Sequence, residues 1–248
     1  NKSRQQGADT EADAPQQDEL VPEKLVKVED PLDQAIKFLQ PLQSLCLDNL
    51  ETHIMAFEIY SRKEKPLLML QSVKRAHRLD KDNPEVHACV IRLCLAVDKW
   101  LRADKLPQPV SEVISKETAP IFQSRTALQI NTQFLEAHSN NLQYIFQGAR
   151  MMYLINPQRK DEAFKLATSL DSSLEGVTIE ICTKVLNALQ NGEFGDIGDA
   201  ANDYMTRCHA RFPLAQAFGS SSSTTPLISP SLGPWSHVLE SQENCVSN

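Results

Sequence analysis

Glycine is scarce in this chain of 248 residues: there are eight glycines, and none lies between Gly7 and Gly148. Tight hairpins and phosphate-binding loops need the positive φ angles that glycine adopts without strain. The scarcity therefore argues against a β-sandwich, a Rossmann domain or a P-loop domain in residues 1–147. No apolar run reaches 18 residues, so we expect no membrane-spanning helix and no membrane partner.

Net positive charge is also missing. The chain carries 25 Lys and Arg against 32 Asp and Glu, a formal charge of −7. Residues 1–29 hold four basic and seven acidic side chains, and residues 219–248 hold only Glu240 and Glu243. The middle is therefore close to neutral, with 21 basic and 23 acidic side chains over residues 30–218. Such a balance gives no general attraction to nucleic acid or to acidic lipid.

Both ends have the composition of unfolded segments. Residues 1–29 have no aromatic side chain and are predicted to be a disordered acidic linker. Residues 219–248 are rich in Ser, Thr and Pro and are predicted to be a disordered tail. The folded domain is therefore expected over residues 30–218. The first residue is Asn and no charged-then-apolar leader follows, which favours a cytosolic or nuclear protein and a piece of a longer chain.

One short stretch of the tail has a different character. Trp235, Val238 and Leu239 are spaced as one amphipathic helical turn. This turn is a candidate to dock on another surface.

Between the two ends, apolar residues recur at spacings of three and four, which is the period of an amphipathic helix. Val86, Val90, Leu93 and Val97 are one example. No stretch of five residues alternates with period two. The pattern predicts an all-α domain of nine or ten helices joined by short loops. We expect Pro41 to bend or end the first helix, and residues 102–123, with three prolines, to hold one short helix.

Part of this pattern matches the tetratricopeptide repeat, a helical hairpin of about 34 residues. Residues 56–60 have the packing residues of its first helix, and residues 76–80 have the ending of its second. A similar ending returns at residues 152–157, 76 residues later, which is not a multiple of the repeat. The prediction is therefore an irregular helical-hairpin superhelix. Because each hairpin leaves one face uncovered, we expect an unstacked face at the N-terminal end.

Four segments of the chain together resemble one known family. They are ETHIMAFEIYSRKEKPLLMLQSVKRAHRLDKDNPEVH at 51–87, DPLDQAIKFLQPL at 30–42, GARMMYLINP at 148–157 and CHARFPLAQAF at 208–218. In their order along the chain they are similar to the C-terminal portion of the auxiliary subunit of the N-terminal acetyltransferase A (NatA) complex. The resemblance covers roughly residues 24–218.

The resemblance implies a scaffold that does not itself catalyse a reaction. It implies a catalytic N-terminal acetyltransferase subunit as partner, and the ribosome as the place where nascent chains are acetylated. It further implies a small regulatory protein with a ubiquitin-associated-like helical domain as a second partner. The expected location is the cytoplasm, at the ribosome, with the nucleus as a further location.

Candidate catalytic and ligand-binding patterns are weak. Gly192, Gly195 and Gly198 are not preceded, at the right spacing, by the Gln or Arg that an acetyl-CoA loop needs. Cys208 and His209 are neighbours on a predicted helix and point about 100° apart, so they cannot form a dyad. His87 and Cys89 diverge for the same reason, which argues against zinc. We expect no catalytic residue, no cofactor and no metal.

The six cysteines include no C-x-x-C pair. Most of them fall at apolar positions of the helical patterns. We expect them to be reduced and to pack as small apolar side chains.

Two sets of residues are candidates for partner contact. The first is basic and helically spaced, away from the stripe of Leu67, Leu70 and Val73: Lys74, Arg75, Arg78 and Lys81. These side chains could meet ribosomal RNA or an acidic partner, or simply form a solvated helix face. The second set is apolar and lies near the C-terminal end of the domain: Phe194, Leu214 and Phe218. Phe194, flanked by Gly192 and Gly195, either fills the groove between hairpins or anchors a partner.

The alternative to the NatA scaffold is a generic tetratricopeptide module of the co-chaperone type that binds peptides. That function needs a concave row of Lys, Asn and Arg directed at a peptide carboxylate. The basic residues at 74–81 cluster on one helix instead. An enzyme is a third alternative without a supporting set of residues.

Overall fold

The computed structural model describes residue 27 and residues 29–219. These residues form ten α-helices and no strand. In chain order, the helices are α1 (Pro31–Leu45), α2 (Leu50–Arg62), α3 (Pro66–Leu79), α4 (Pro84–Arg102), α5 (Gln108–Phe122), α6 (Ala127–Ala137), α7 (Leu142–Ile155), α8 (Lys160–Ala167), α9 (Ile179–Gln190) and α10 (Ala200–Arg211). Two short 3₁₀ helices cover Pro157–Arg159 and Gln216–Phe218. The all-α prediction is confirmed for this part of the chain. The predicted acidic linker and the Ser-rich tail lie almost entirely outside it.

Most helices begin where the sequence provides a cap. The side chain of Asp30 accepts a hydrogen bond from the Asp33 N–H, and Asn49 and Asn83 cap α2 and α4 in the same way. Thr126 forms a reciprocal capping box with Gln129 at the start of α6. Proline occupies the first turn of α1, α3 and α4, where its missing N–H has no helical partner to lose.

Two prolines lie inside helices, so neither helix ends at its proline. Helix α1 continues through Pro41 to Leu45, and α5 extends over 15 residues through Pro120. An interior proline removes one backbone hydrogen bond and disfavours the helix. Apolar contacts compensate in α5, where Ile114 is buried before Pro120 and Ile121 packs against the core after it. The helix within residues 102–123, Gln108–Phe122, is therefore longer than the short helix that its prolines predict.

The helices stack as hairpins, as the repeat pattern predicts. Helices α2, α3 and α4 each pack against the next helix and also against the next but one, as α3 does against α4 and α5. Helix α1 has only α2 as a strongly packed neighbour among the described helices. Large apolar side chains are correspondingly exposed at this end: Phe38, Leu42, Leu45, Leu47 and Met55. This agrees with the unstacked face expected there.

The buried residues form two clusters that meet at α7. The first cluster joins α1–α6 and includes Met151 and Leu154 of α7. The second joins α7–α10 and includes Leu142, Phe146 and Met152 on other faces of α7. Helix α7 therefore buries apolar side chains on more than one face, while Gln143, Gln147 and Arg150 follow a polar stripe. Gly148 permits the close approach of α6, because a Cβ atom there would lie 2.4 Å from Leu135 Cδ2.

An ion pair lies at the edge of the first cluster, with its arginine buried and its glutamate 28% exposed. The Arg92 side chain is 2% exposed and contacts Glu58 through both terminal nitrogens, one of them at 3.2 Å. Its guanidinium also lies 4.9 Å from the centre of the Phe57 ring. Burial by itself would raise the pKa of Glu58, but Arg92 and Arg62 outweigh it and lower that pKa below its ordinary value. Glu58 is thus held ionised between α2 and α4.

A second buried polar contact joins α4, α6 and α7. His87 is 5% exposed, and its Nε2 donates to Asn131 Oδ1 at 2.9 Å. The Asn131 amide donates in turn to the Gly148 carbonyl at 2.9 Å. The His87 ring stacks on Phe134 with 3.7 Å between the ring centres. Burial lowers the pKa of His87 to about 4, so the imidazole is neutral near pH 7.

Replacing Glu58 by Gln tests the buried ion pair. Glu58→Gln removes the charge that compensates Arg92 and should lower the free energy of unfolding by about 3 kcal/mol. The double variant Glu58→Gln/Arg92→Met removes both charges and should recover most of the loss. Urea denaturation midpoints measure both effects. The control Glu51→Gln changes an exposed residue in the first turn of the same helix and should lower stability far less, by no more than about 0.3–1 kcal/mol. Equal losses in the single and double variants would contradict the argument.

Stability should also depend on pH through His87. Because the folded pKa of about 4 lies below the ordinary 6.5, the unfolded chain binds more protons between these values. The stability contributed by neutral His87 is complete above pH 6.5 and is lost as the pH falls towards 4. We expect a loss of about 2 kcal/mol between pH 7.5 and pH 5, measured by urea denaturation.

The variant His87→Gln should reduce this pH dependence, because glutamine does not titrate. The control His209→Gln replaces an exposed histidine of α10 and should retain it. An unchanged pH dependence in His87→Gln would assign the effect to other groups.

Candidate partner-binding surface

Three of the four predicted basic residues line a groove between α3 and α5. The groove encloses about 730 Å³. Its apolar walls are Leu67 and Leu70 from α3, and Val113, Pro120 and Ile121 from α5. Lys74, Arg75 and Arg78 follow the same side of α3 and form its basic rim.

The rim keeps an excess of positive charge. Lys74 is paired across the groove with Glu117, whose pKa is lowered by this hydrogen bond. Within the described ranges, Arg75 and Arg78 make no ion pair. Burial, with a contribution from Lys81, lowers the pKa of His77, so this histidine adds little charge near pH 7. Three cations therefore face one carboxylate.

The position of the basic set differs from the prediction in two respects. The sequence pattern placed it away from the stripe of Leu67, Leu70 and Val73. In the structure, Val73 is fully buried, but Leu67 and Leu70 line the same groove as the cations. Lys81 follows the end of α3 and is not part of the lining. The basic residues and the apolar stripe are not on separate sides of α3, because only part of the apolar stripe packs into the core.

The structure separates the apolar candidates. Phe194 is fully buried between α9 and α10, with its ring centre 6.2 Å from that of Tyr153. Phe218 is 1% exposed and packs near Phe212. Leu214 is 97% exposed. The burial of Phe194 agrees with the alternative that it fills the groove between hairpins, whereas Leu214 is the member of this set that faces solvent.

The residues of the weak catalytic patterns lie in structural positions. Gly192, Gly195 and Gly198 all have positive φ and form the turn between α9 and α10. Cys208 is fully buried beside Cys182 and Tyr204, whereas His209 is exposed. A hydrogen bond from Cys208 lowers the pKa of Cys182 to about 7, and the same contact raises that of Cys208.

The described cysteines are free thiols, and most of them are buried. Residues 29–219 contain five free cysteines, of which all but Cys46 are buried, while Cys245 lies outside this part. Across these ranges, no group of three His, Cys, Asp or Glu side chains could hold a metal ion. None of the described helices combines the length and the apolar character needed to span a membrane.

Comparison with known proteins gives the same family as the four segments. A family model described as the auxiliary subunit of N-terminal acetyltransferase A matches residues 1–76. The chain is 42% identical over 201 residues to "N-alpha-acetyltransferase 16, NatA auxiliary subunit" of Homo sapiens, an alignment that covers 81% of this chain. The chain belongs to the NatA auxiliary-subunit family.

Two further relatives extend the comparison. The mouse protein of the same name is 40% identical over 201 residues. The Arabidopsis thaliana "N-terminal acetyltransferase A complex auxiliary subunit NAA15" is 32% identical over 148 residues, 58% of this chain. The alignments cover 23% of the human and mouse relatives and 16% of the plant one. The chain therefore spans less than a quarter of the NatA auxiliary subunits it matches.

The α5 side of the groove was not recognised from the sequence. Val113, Glu117 and Ile121 are spaced by four residues, which is a helical signal. We assigned only a short helix there because three prolines interrupt the stretch. The Glu117 partner of Lys74 is separated from it by 43 residues, so no local pattern could reveal the contact.

Alanine substitutions distinguish the buried candidates from the exposed one. Phe194→Ala removes a fully buried ring and should lower the free energy of unfolding by about 3–5 kcal/mol. Leu214→Ala removes a solvated side chain and should change stability by less than about 0.5 kcal/mol. Urea denaturation measures both. A Phe194→Ala protein as stable as the unmodified chain would show that the ring is not part of the core.

Proposed function

We propose that this chain is part of a non-catalytic auxiliary subunit that holds partner proteins in a NatA-type acetyltransferase complex. The observation that supports this most is the 42% identity to a protein named as a NatA auxiliary subunit. The stacked helical hairpins suit such a role, because an array of this kind presents a long surface with a fixed shape. The work of the chain is then to position other macromolecules.

The proposal extends to the partners that the family resemblance implies. They are a catalytic N-terminal acetyltransferase subunit, the ribosome that supplies the nascent chain, and a small regulator with a ubiquitin-associated-like domain. We place the complex in the cytoplasm, at the ribosome, with the nucleus as a further location. We place the partner-binding domain at residues 30–218, between a linker at 1–29 and a tail at 219–248.

The arrangement of charge favours this scaffold over a co-chaperone module. A site for a peptide carboxylate would need cations contributed by several helices to one concave surface. Lys74, Arg75 and Arg78 all lie on α3, and Lys74 is already paired with Glu117. The candidate site is a groove with apolar walls. Such a groove is better suited to bind the apolar side chains of a partner than the terminal carboxylate of a peptide.

Purification of the longer protein that contains this chain tests the proposed function. We expect a tagged form to co-purify with an N-terminal acetyltransferase, and the complex to sediment with ribosomes at low salt. Mass spectrometry of a peptide substrate then measures transfer of the acetyl group. Absence of the acetyltransferase from the purified complex would overturn the proposal. So would turnover of acetyl-CoA by the purified 248-residue chain alone.

A further inference from the structure

The groove between α3 and α5 exposes apolar and basic side chains together. Leu67 is 44% exposed and Val113 is 46% exposed, one on each side. Arg75 and Arg78 stand beside them without acidic partners in the described part of the chain. An exposed apolar surface rimmed by charge is typical of an interaction site. The groove is therefore suited to bind a segment that has apolar side chains on one face and carboxylates nearby.

This chemistry favours a peptide over RNA. A phosphate backbone would satisfy the arginines but would leave the apolar walls without a complement. An amphipathic helix satisfies both, because residues at positions i, i+3 and i+4 enter the groove while flanking carboxylates reach its rim.

We propose that the segment around Trp235–Glu243 of this same chain binds in the groove. Trp235, Val238 and Leu239 have the i, i+3, i+4 spacing that such a groove accepts. Glu240 and Glu243 are the only charged side chains among residues 220–248. The segment thus brings two negative charges to a groove where three cations face one carboxylate.

The segment is joined to the described domain by a long connection. The described residues end at Gly219, and Trp235 follows 16 positions later. An extended chain of that length spans at most about 53–58 Å. Helices packed side by side lie about 8–10 Å apart, so a connection of this length spans the width of several stacked helices. Because the segment is tethered, its effective concentration is high and a weak contact is sufficient.

Tryptophan fluorescence tests the contact in the full chain. The chain has two tryptophans, so Trp100→Phe leaves Trp235 as the single reporter. We expect Trp235 to emit at short wavelength and to be shielded from acrylamide. Adding Lys74→Glu, Arg75→Glu and Arg78→Glu should release it, with quenching rising severalfold to the level of a free peptide of residues 232–246. The released spectrum should not change with protein concentration.

Matched variants separate specific binding from a general effect of charge. Lys99→Glu/Arg102→Glu/Lys105→Glu makes the same change in net charge at three exposed residues outside the groove lining, and should leave Trp235 shielded. Val238→Ser/Leu239→Ser alters only the segment and should release Trp235 without affecting the helical fold. Circular dichroism checks that the helix content of every variant is unchanged.

The other outcomes overturn the proposal. Full quenching of Trp235 in the Trp100→Phe chain would show that the segment binds nowhere. Equal release by the control triple variant would assign the contact to general electrostatics. Shielding that disappears on dilution would mean that a second copy supplies the segment. If the triple variant leaves Trp235 shielded but removes the longer protein from ribosomes, the groove binds RNA instead. None of these results bears on co-purification with an acetyltransferase.

Discussion

Helix α7 is the element on which the described fold depends, because both clusters of buried residues include it. Met151 and Leu154 belong to the first cluster, and Phe146 and Met152 belong to the second. A helix buried on several sides cannot move relative to one group of helices without exposing apolar surface to water. The two halves of the array are therefore held together by one shared helix, and this supports a surface of fixed shape.

Buried polar contacts give this packing its specificity. Arg92 must meet Glu58, and His87 must meet Asn131, because a polar group left without its partner inside the core is costly. These contacts join residues on different helices that are 34 and 44 positions apart in sequence. They favour one arrangement of hairpins over others that would bury similar apolar area. Stacked helices held in this way suit the positioning role proposed for this chain.

The candidate groove is a consequence of the same stacking. Helices α3 and α5 are next-but-one neighbours, so their facing sides meet only in part and leave a channel with Leu67 and Val113 at its edges. The channel combines side chains that the sequence presents as two separate features, a basic cluster and a proline-rich stretch. Its apolar walls distinguish it from a solvated basic face.

The sequence by itself determined the helical class, most of the helix starts and the family. These depend on local features: spacings of three and four residues, caps such as Asp30, and segments of resemblance. Only the tertiary structure decided that α1 and α5 continue through Pro41 and Pro120, that Phe194 is buried while Leu214 is exposed, and that α5 completes the groove. Each of these depends on contacts between residues distant in sequence, whose packing energy outweighs local preference. The sequence pattern of a single helix does not show which distant residues it will contact, so it cannot predict this packing energy.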